Sequence, residues 1–470
     1  MHKNRRPQLM IAPLLALALA VGGCSSSNNA GTSTSATSGA GASSSSPSSS
    51  ADASTSGGGA SSSGGSSSGG ASSGGATDSG PLPTGYTELS PGAAQPTADQ
   101  TAALKAFVPE SLQEYAEGYW TWMRLGPNPY ANWTPPPAPW QFCYSSAYQG
   151  NSWRVQGLNV AKDIWGQLQK QNLTKGELIV TDANNSATQQ ATQINNMVQQ
   201  GCNVILAMQP PSTGLCQAYT NAKEKGVLVI SMETGTSCTD DIQMDFAEYA
   251  AGATTAKWLA GQLGGKGNVV MCNGIPGVAA SDTRQSAAEK VFKGNPGITV
   301  SAINSQWTAS TGKSQMLQFL ATNPDPVDGV WDGGTCAVPA YQALQQAGRP
   351  TPFISGFEGG CYWLAAVKEM NKPSIGFPQS GGQVSFMGFE IALRMLAGQK
   401  MKGNMVLYPL PTIDEANFND YYKDSYTTNS TCSAQPAGGS PVDDKYWSAL
   451  FTGGNPVAEF TSPLPTIGDN

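Results

Sequence analysis

Histidine is almost absent from this chain of 470 residues, and its one occurrence, His2, lies beside the amino terminus. Serine and cysteine nucleophiles activated by histidine, zinc sites with histidine ligands and histidine-ligated haem all require an imidazole. The sequence also lacks a P-loop and any CxxC pair. We therefore expect no catalytic residues, no metal site and no cofactor, and we do not expect an enzyme.

A long hydrophobic run is also missing, because the apolar segment at residues 9–21 is too short to span a bilayer. Three cations precede this segment: Lys3, Arg5 and Arg6. A basic segment followed by a short apolar one is typical of an export signal. The ending Gly22-Gly23-Cys24 resembles a bacterial lipobox, which implies a signal peptide over 1–24 and a lipidated Cys24. The protein would then be an extracytoplasmic lipoprotein anchored to the cell membrane; a plain secretory signal with a chance cysteine is the alternative.

Charged and large apolar residues are scarce between residues 25 and 80, where Asp52 and Asp78 are the only charges. A segment of Ser, Gly, Ala and Thr cannot bury a core, so we expect a disordered tether. Residues 81–139 predict a helical lead-in extension. Removing the three cations of the signal lowers the net charge from −7 to −10, which argues against nucleic acid as a partner.

From residue 140 onward, short apolar runs alternate with amphipathic stretches of helical length, which is typical of βαβ units and parallel sheets. A first series predicts strands at 140–144, 177–181, 203–208 and 227–231, with helices at 153–171, 187–200 and 215–225. A second series predicts strands at 268–271, 299–303, 329–331, 353–355 and 374–377, with helices at 279–293, 312–321, 338–347 and 362–370. A last helix at 384–396 and a strand at 404–407 follow.

This alternation predicts an α/β fold of two doubly wound parallel-sheet lobes. We place an amino-terminal lobe at 140–246 plus 380–404, a carboxy-terminal lobe at 247–379 plus 405–425, and a tail at 426–470. Ligands bind beyond the carboxyl ends of parallel strands, so two facing sheets would enclose a cleft.

Aromatic and polar side chains follow the predicted strands. Indole rings cover the apolar face of a sugar, whereas carboxylates, amides and arginines form hydrogen bonds with its hydroxyl groups. For each residue the alternative is a structural role, since a buried Trp is often core and a strand-end carboxylate often caps a helix. The candidate ligand-binding residues are Asn151, Trp153, Arg154, Gln209, Glu233, Arg284, Trp307, Asp332, Glu358 and Gln379.

Six short segments strengthen this prediction by their order and spacing. They are Gly150-Asn151-Ser152-Trp153-Arg154, Asp182-Ala183-Asn184-Asn185, Gln209-Pro210-Pro211-Ser212, Gly264-Gly265-Lys266-Gly267, Gly274-Ile275-Pro276-Gly277 and Ser355-Gly356-Phe357-Glu358-Gly359. Through them, residues 140–408 resemble a type I periplasmic binding protein of the ribose- and galactofuranose-binding kind. The resemblance implies two lobes joined by a hinge, with a ligand enclosed between them.

The resemblance also implies roles for single residues. Asn151, Trp153 and Glu233 correspond to ligand contacts of the first lobe, with Arg154 beside them and Gln209 at a position where many members have Asn. The basic, stacking, acidic and amide positions of the family correspond to Arg284, Trp307, Glu358 and Gln379, and Asp332 or Gly333 falls near an Asn position. Both main carboxylates are Glu where Asp is usual, which leaves the identity of the ligand open.

Eight cysteines remain after Cys24, and eight cysteines allow 105 pairings. From the topology that the resemblance implies, we expect two disulfides, Cys216 with Cys238 and Cys336 with Cys361. Cys143 and Cys272 lie within strands and read better as free buried thiols.

The function implied by the resemblance is capture of a sugar or polyol by a monomeric binding protein that delivers it to an ABC permease. A sensor that presents its bound solute to a chemoreceptor or sensor kinase is one alternative. A glycoside hydrolase that uses Glu233 and Glu358 as acid and base is another.

Overall fold

The computed structural model describes residues 108–116, 118, 126–208, 210–211, 213–408, 410–434 and 444–460. The predicted signal peptide, Cys24, the tether and Gln209 lie outside these ranges. Within the predicted lead-in, a 3-10 helix covers Glu110–Tyr115. None of the helices in the described ranges combines the length and the hydropathy needed to cross a bilayer.

Strands and helices alternate along the described chain. The strands are β1 (Phe142–Ser146), β2 (Ile179–Asp182), β3 (Val204–Met208), β4 (Leu228–Met232), β5 (Ile242–Asp245), β6 (Lys266–Asn273), β7 (Gly297–Asn304), β8 (Gly329–Asp332), β9 (Phe353–Ile354), β10 (Lys400–Met401), β11 (Met405–Leu407) and β12 (Phe451–Thr452). The helices are α1 (Ser152–Lys170), α2 (Ala187–Gln199), α3 (Cys216–Glu224), α4 (Glu248–Gln262), α5 (Ala279–Lys293), α6 (Ala309–Thr322), α7 (Ala337–Gln346), α8 (Cys361–Met370), α9 (Gly381–Leu396), α10 (Phe418–Tyr421) and α11 (Asp444–Leu450).

Two parallel sheets form the cores of two lobes. The first has the strand order β11-β5-β4-β3-β1-β2, and the second has the order β7-β6-β8-β9. Apolar strand residues such as Phe142, Leu206 and Ile230 are fully buried in the first lobe, and burial of each contributes roughly 2 kcal/mol. The predicted fold class, two doubly wound α/β lobes, is confirmed.

Two elements were missed from the sequence, β5 and the helix α4 that follows it. Strand β5 carries Gln243, whose buried amide donates to Thr236, Cys238 and Asp241, so a hydrogen-bond network forms at this position. Helix α4 is rich in Ala, Gly and Thr and is buried on most of its surface, so it has no clear polar face. Helix α4 therefore lacks the periodicity of a surface helix, whereas β5 alternates apolar and polar residues over only four positions, the shortest run in which alternation predicts a strand.

One predicted strand and one predicted lobe assignment need correction, whereas the strand predicted at 404–407 is present as β11. The segment predicted at 374–377 makes isolated bridges instead of a strand, from Phe377 to Glu358 and from Gly376 to Ile413. Strand β11 pairs with β5 in the first sheet, so Met405–Leu407 belong to the first lobe and not to the second. The chain therefore crosses into the second lobe after Leu407, because Ile413 already pairs there.

Four disulfides are present among the described cysteines: Cys143–Cys202, Cys216–Cys238, Cys272–Cys336 and Cys361–Cys432. The predicted bond between Cys216 and Cys238 is confirmed. The predicted bond between Cys336 and Cys361 is wrong, as are the free thiols at Cys143 and Cys272. Strands β6 and β8 are adjacent, so Cys272 near the end of β6 faces Cys336 in the loop after β8.

The carboxy-terminal segment reaches both lobes. In the second lobe, Cys432 is bonded to Cys361, and the amide of Ala434 donates to the carbonyl of Gly359 over 2.7 Å. In the first lobe, β12 pairs with β10, and Trp447 packs into the hydrophobic core. The predicted tail is therefore built onto the folded lobes over its described residues.

Candidate binding cleft

Side chains from the two lobes meet at the carboxyl ends of the sheets. Glu233 directly follows β4 in the first lobe, and Arg284 lies on α5 in the second lobe. Nη2 of Arg284 donates to Oε1 of Glu233 over 3.3 Å. Nη1 of the same guanidinium donates to the carbonyl of Gly333, which follows β8, over 3.0 Å. Loops of both sheets thus converge on one buried arginine.

Arg284 is held chiefly by Glu248, the first residue of α4. Nη2 of Arg284 donates to Oε1 of Glu248 over 2.9 Å, and Nε donates to the other carboxylate oxygen. The rings of Phe357 and Trp307 lie 3.7 and 5.5 Å from the guanidinium carbon. Burial acts to lower the pKa of Arg284, but the carboxylates of Glu248 and Glu233 outweigh it and hold the pKa above its ordinary value. Arg284 is therefore a permanent buried cation.

Glu233 is a buried carboxyl in an unfavourable setting for a charge. Burial, and then the negative charge of Glu248, raise its pKa well above the ordinary value, although Arg284 and Arg154 oppose the shift. Its backbone has a φ of +79°, in the left-handed region that non-glycine residues rarely adopt. Backbone strain of this kind concentrates at functional sites.

Glu358 lies in the second lobe and forms an isolated parallel bridge with Phe377. Its carboxyl group accepts hydrogen bonds from the hydroxyl groups of Thr335, over 3.3 and 3.4 Å, and of Tyr362, over 3.2 Å. Burial is the main cause that raises its pKa to about 7. Glu358 can therefore gain or lose a proton near neutral pH.

Trp307 and Asp332 shape the second-lobe side of the cleft in different ways. Nε1 of Trp307 donates to the carbonyl of Gly333 over 3.3 Å, which fixes the indole beside Arg284. Asp332 accepts from the backbone amides of Gly334, over 2.7 Å, and of Cys336, over 2.9 Å. Its carboxylate therefore organises the loop after β8. This is the structural role that the sequence left open as the alternative to ligand binding.

The first-lobe candidates surround the amino terminus of α1. Asn151 caps this helix by accepting from the amide of Arg154 over 3.0 Å. Nη1 of Arg154 donates to the carbonyl of Tyr148 over 3.1 Å, and its charge is close enough to Glu233 to influence the pKa of that carboxyl. Trp153 packs in the hydrophobic cluster of the first lobe. The charged groups of Arg154, Glu233 and Arg284 thus lie close enough to influence one another, and the ring of Trp307 lies beside the guanidinium of Arg284.

Several buried polar atoms of the cleft have no hydrogen-bond partner among the described residues. Both amide atoms of Gln379 are of this kind, although the residue is only 1% exposed. Further atoms of this kind lie in residues that end or follow strands or that begin α1 and α5: Nε2 of Gln149, Nε1 of Trp153, Nε of Arg154, Oε2 of Glu233, Oγ1 of Thr234, Oδ1 of Asn273 and Oγ of Ser281. Similar atoms also occur elsewhere in the described structure, for example Nε1 of Trp258, but native proteins pair nearly all buried polar atoms, and those at the strand ends are placed where a polar ligand would pair them.

Glu248 is the functional candidate that the sequence prediction missed. It begins α4, the helix that was itself not predicted. The spacing Asp245-Phe246-Ala247-Glu248 was a usable signal, because an acceptor residue followed three positions later by an acid often marks a helix start. In the structure, Oδ1 of Asp245 accepts from the amide of Glu248 over 3.0 Å.

Three comparisons with known proteins agree with this architecture. A family model described as a periplasmic binding protein domain matches residues 142–400. A xylitol-binding protein of Mycolicibacterium smegmatis is 29% identical over 247 residues, which cover 51% of this chain and 69% of the relative. A ribose import binding protein of Salmonella typhimurium is 22% identical and covers 50% of this chain and 78% of the relative.

Solved structures share the fold. A solute binding protein of an ABC transporter from Thermobispora bispora has a TM-score of 0.55 at 23% identity and covers 61% of this chain and 87% of that structure. An ABC transporter solute binding protein from Bacillus halodurans with bound myo-inositol has a TM-score of 0.53 at 17% identity and covers 61% of this chain and 98% of that structure. At these identities, the likeness establishes the fold alone.

Proposed function

The chain belongs to the family of periplasmic binding protein domains, and from this premise we propose that it captures a sugar or sugar-like polyol between its lobes for an ABC importer. The observation that carries the proposal is the set of buried polar atoms at the strand ends that lack partners within the described structure. A ligand with many hydroxyl groups offers donors and acceptors in all directions. The names of the relatives, which refer to xylitol and ribose, agree with this chemistry.

Capture follows from closure of the two lobes around the ligand. The ligand contacts Glu233 and Arg154 in the first lobe. In the second lobe it contacts Trp307, Glu358 and Gln379. Because these contacts are complete only in the closed state, the ligand binds that state more tightly and shifts the population toward it. A micromolar dissociation constant corresponds to about 8 kcal/mol, which a few charge-assisted hydrogen bonds and a stacked ring can supply.

The partner and the location are part of the same proposal. We place the protein outside the cytoplasm, as a monomer held at the cell membrane by lipid on Cys24, and we assign recognition of the closed form to the permease. The family description and the lipobox-like ending Gly22-Gly23-Cys24 support this placement. Recovery of the protein in the detergent phase, lost in Cys24→Ser, tests the anchor.

Calorimetric titration of the purified protein with xylitol, ribose and myo-inositol tests the binding function. We expect saturable binding of one equivalent of at least one such solute, without chemical change of the solute by NMR. Hydrolysis of a glycoside with turnover would instead favour the enzyme alternative. If no sugar or polyol in a wider panel bound saturably, the proposed function would be refuted.

The variant Gln379→Leu links the binding to the buried amide. Loss of its hydrogen bonds should weaken ligand binding by about tenfold or more. The ligand-free variant should be about 1 kcal/mol more stable, because an unpaired buried amide carries a desolvation cost. Gln318→Leu, on the exposed face of α6, is the matched control and should change neither quantity. If Gln379→Leu lowered the stability of the ligand-free protein as well as its affinity, the assignment of Gln379 to ligand binding would be contradicted.

A further inference from the structure

The guanidinium of Arg284 is almost completely used by the protein itself. An arginine has five N–H donors, and four contacts are made within the described structure: two to Glu248, one to Glu233 and one to the carbonyl of Gly333. Arg284 is 2% exposed and Glu248 is fully buried. One N–H of Nη1 remains for any other acceptor.

The geometry of these contacts matters more than their number. An arginine binds a carboxylate most strongly through two parallel N–H donors, from either its Nε and Nη2 edge or its Nη1 and Nη2 edge. Glu248 occupies the first edge with both oxygens. Gly333 and Glu233 occupy the second. Neither edge is left to form a paired contact with the carboxylate of a ligand.

The charges around the cleft reinforce this arrangement. Arg154, a second buried cation beside the cleft, lies in the field of Glu233; its Nη1 donates to the carbonyl of Tyr148, whereas its Nε has no partner within the described structure. Glu358 adds a further, partly buried carboxyl group on the second-lobe side. An anionic ligand would therefore find the guanidinium of Arg284 already engaged, and any ionised carboxyl group of the cleft would oppose its binding.

We propose that Glu248 is a specificity-determining and positioning residue, which engages Arg284 so that the cleft accepts uncharged sugars or polyols and rejects the corresponding sugar acids. This inference rests on the proposed function, since it concerns the chemical class of the same ligand. Glu248 acts through Arg284 and holds the guanidinium against the Trp307 ring. Specificity then arises from a contact that is unfavourable for the wrong ligand as well as from favourable contacts for the right one.

Matched pairs of a polyol and its acid test this inference: xylitol with xylonate, and ribitol with ribonate, titrated calorimetrically into the full chain. The wild type should bind the uncharged member about tenfold or more tightly than the acid. In Glu248→Gln, the freed guanidinium edge should reduce that preference by about tenfold, through tighter binding of the acid. Glu248→Asp keeps the charge and should retain most of the wild-type preference.

Glu390→Gln is the control, because Glu390 pairs with Arg394 over 2.6 Å on α9, among first-lobe residues. It should leave the preference unchanged. Tight binding of the acids by the wild type would overturn the inference, as would an equal weakening of both members of a pair in Glu248→Gln. If Glu248→Gln did not fold, the inference would still be tested by the ratio of the acid and polyol dissociation constants in wild type and in Glu248→Asp. Failure of every neutral solute and every acid to bind the wild type would refute the proposed function itself.

Discussion

Glu358 makes the stability of this protein depend on pH in a window where most proteins titrate histidine. His2 is the only histidine of the chain. Burial raises the pKa of Glu358 from an ordinary value of 4.5 to about 7. The folded state therefore keeps a proton that the unfolded state has already lost between these two values. We expect the substitution Glu358→Gln to abolish this contribution.

The sign and the size follow from linkage. Below pH 4.5 both states hold the proton, so the stability associated with it is fully present there. As the pH rises toward 7, the unfolded state loses the proton first, and the free energy of unfolding falls. A pKa raised from 4.5 to about 7 corresponds to a fall of about 3 kcal/mol, complete above pH 7. Asp245, whose pKa burial and the charge of Glu248 raise to about 8, contributes with the same sign in both proteins.

Urea unfolding of wild type and Glu358→Gln at intervals from pH 4.5 to 8 measures this effect as the difference between their free energies of unfolding. The variant should gain up to about 3 kcal/mol relative to wild type as the pH rises across the window. Glu289→Gln, a control on α5 at a side chain that is 38% exposed, should show no such drift. A constant difference between Glu358→Gln and wild type at all pH values would refute the reasoning.

Two further substitutions test the loop after β8 and the carboxy-terminal segment. Gly334→Ala should cost about 1–3 kcal/mol and weaken ligand binding, because φ is +123° and the new Cβ would lie 2.8 Å from Nε1 of Trp307. Gly348→Ala, at φ +64° in open space, shows the cost of a positive φ without a clash, although φ +123° is the harder region for a side chain, and equal losses in both variants would argue against the clash. Cys432→Ser removes the bond to Cys361 across 71 residues and should lower the free energy of unfolding, measured in urea, by about 4 kcal/mol. Reduced wild type that is as stable as the oxidised protein would contradict this expectation.

Local sequence patterns predicted most of the fold. The apolar runs of β1, β3 and β4 and the amphipathic α2 were identified because short-range periodicity reports which face of an element is buried. The same reasoning failed for α4, whose small residues are buried on nearly all sides, and for β5, where Gln243 bonds within the core. In α4 the tertiary environment removed the pattern on which prediction depends, whereas β5 keeps its alternation over only four residues.

The candidate site divides in the same way. Strand-end positions predicted that Glu233, Trp307 and Glu358 would lie at one edge of the sheets, since parallel strands place their carboxyl ends together. The sequence could not show that Asp332 would be engaged by backbone amides, or that Arg284 would be held by a residue 36 positions away. Such pairings depend on which loops meet when the lobes pack.

The sequence by itself therefore determined the alternation of strands and helices, the two lobes and the chemical kinds of side chain at their edges, because these follow from short-range propensity and periodicity. Only the tertiary structure decided which charges neutralise each other, which cysteines pair and which polar atoms are left facing the cleft. Those outcomes depend on burial and distance between residues of distant elements, as in the contact of Glu248 with Arg284 and the bond of Cys272 with Cys336.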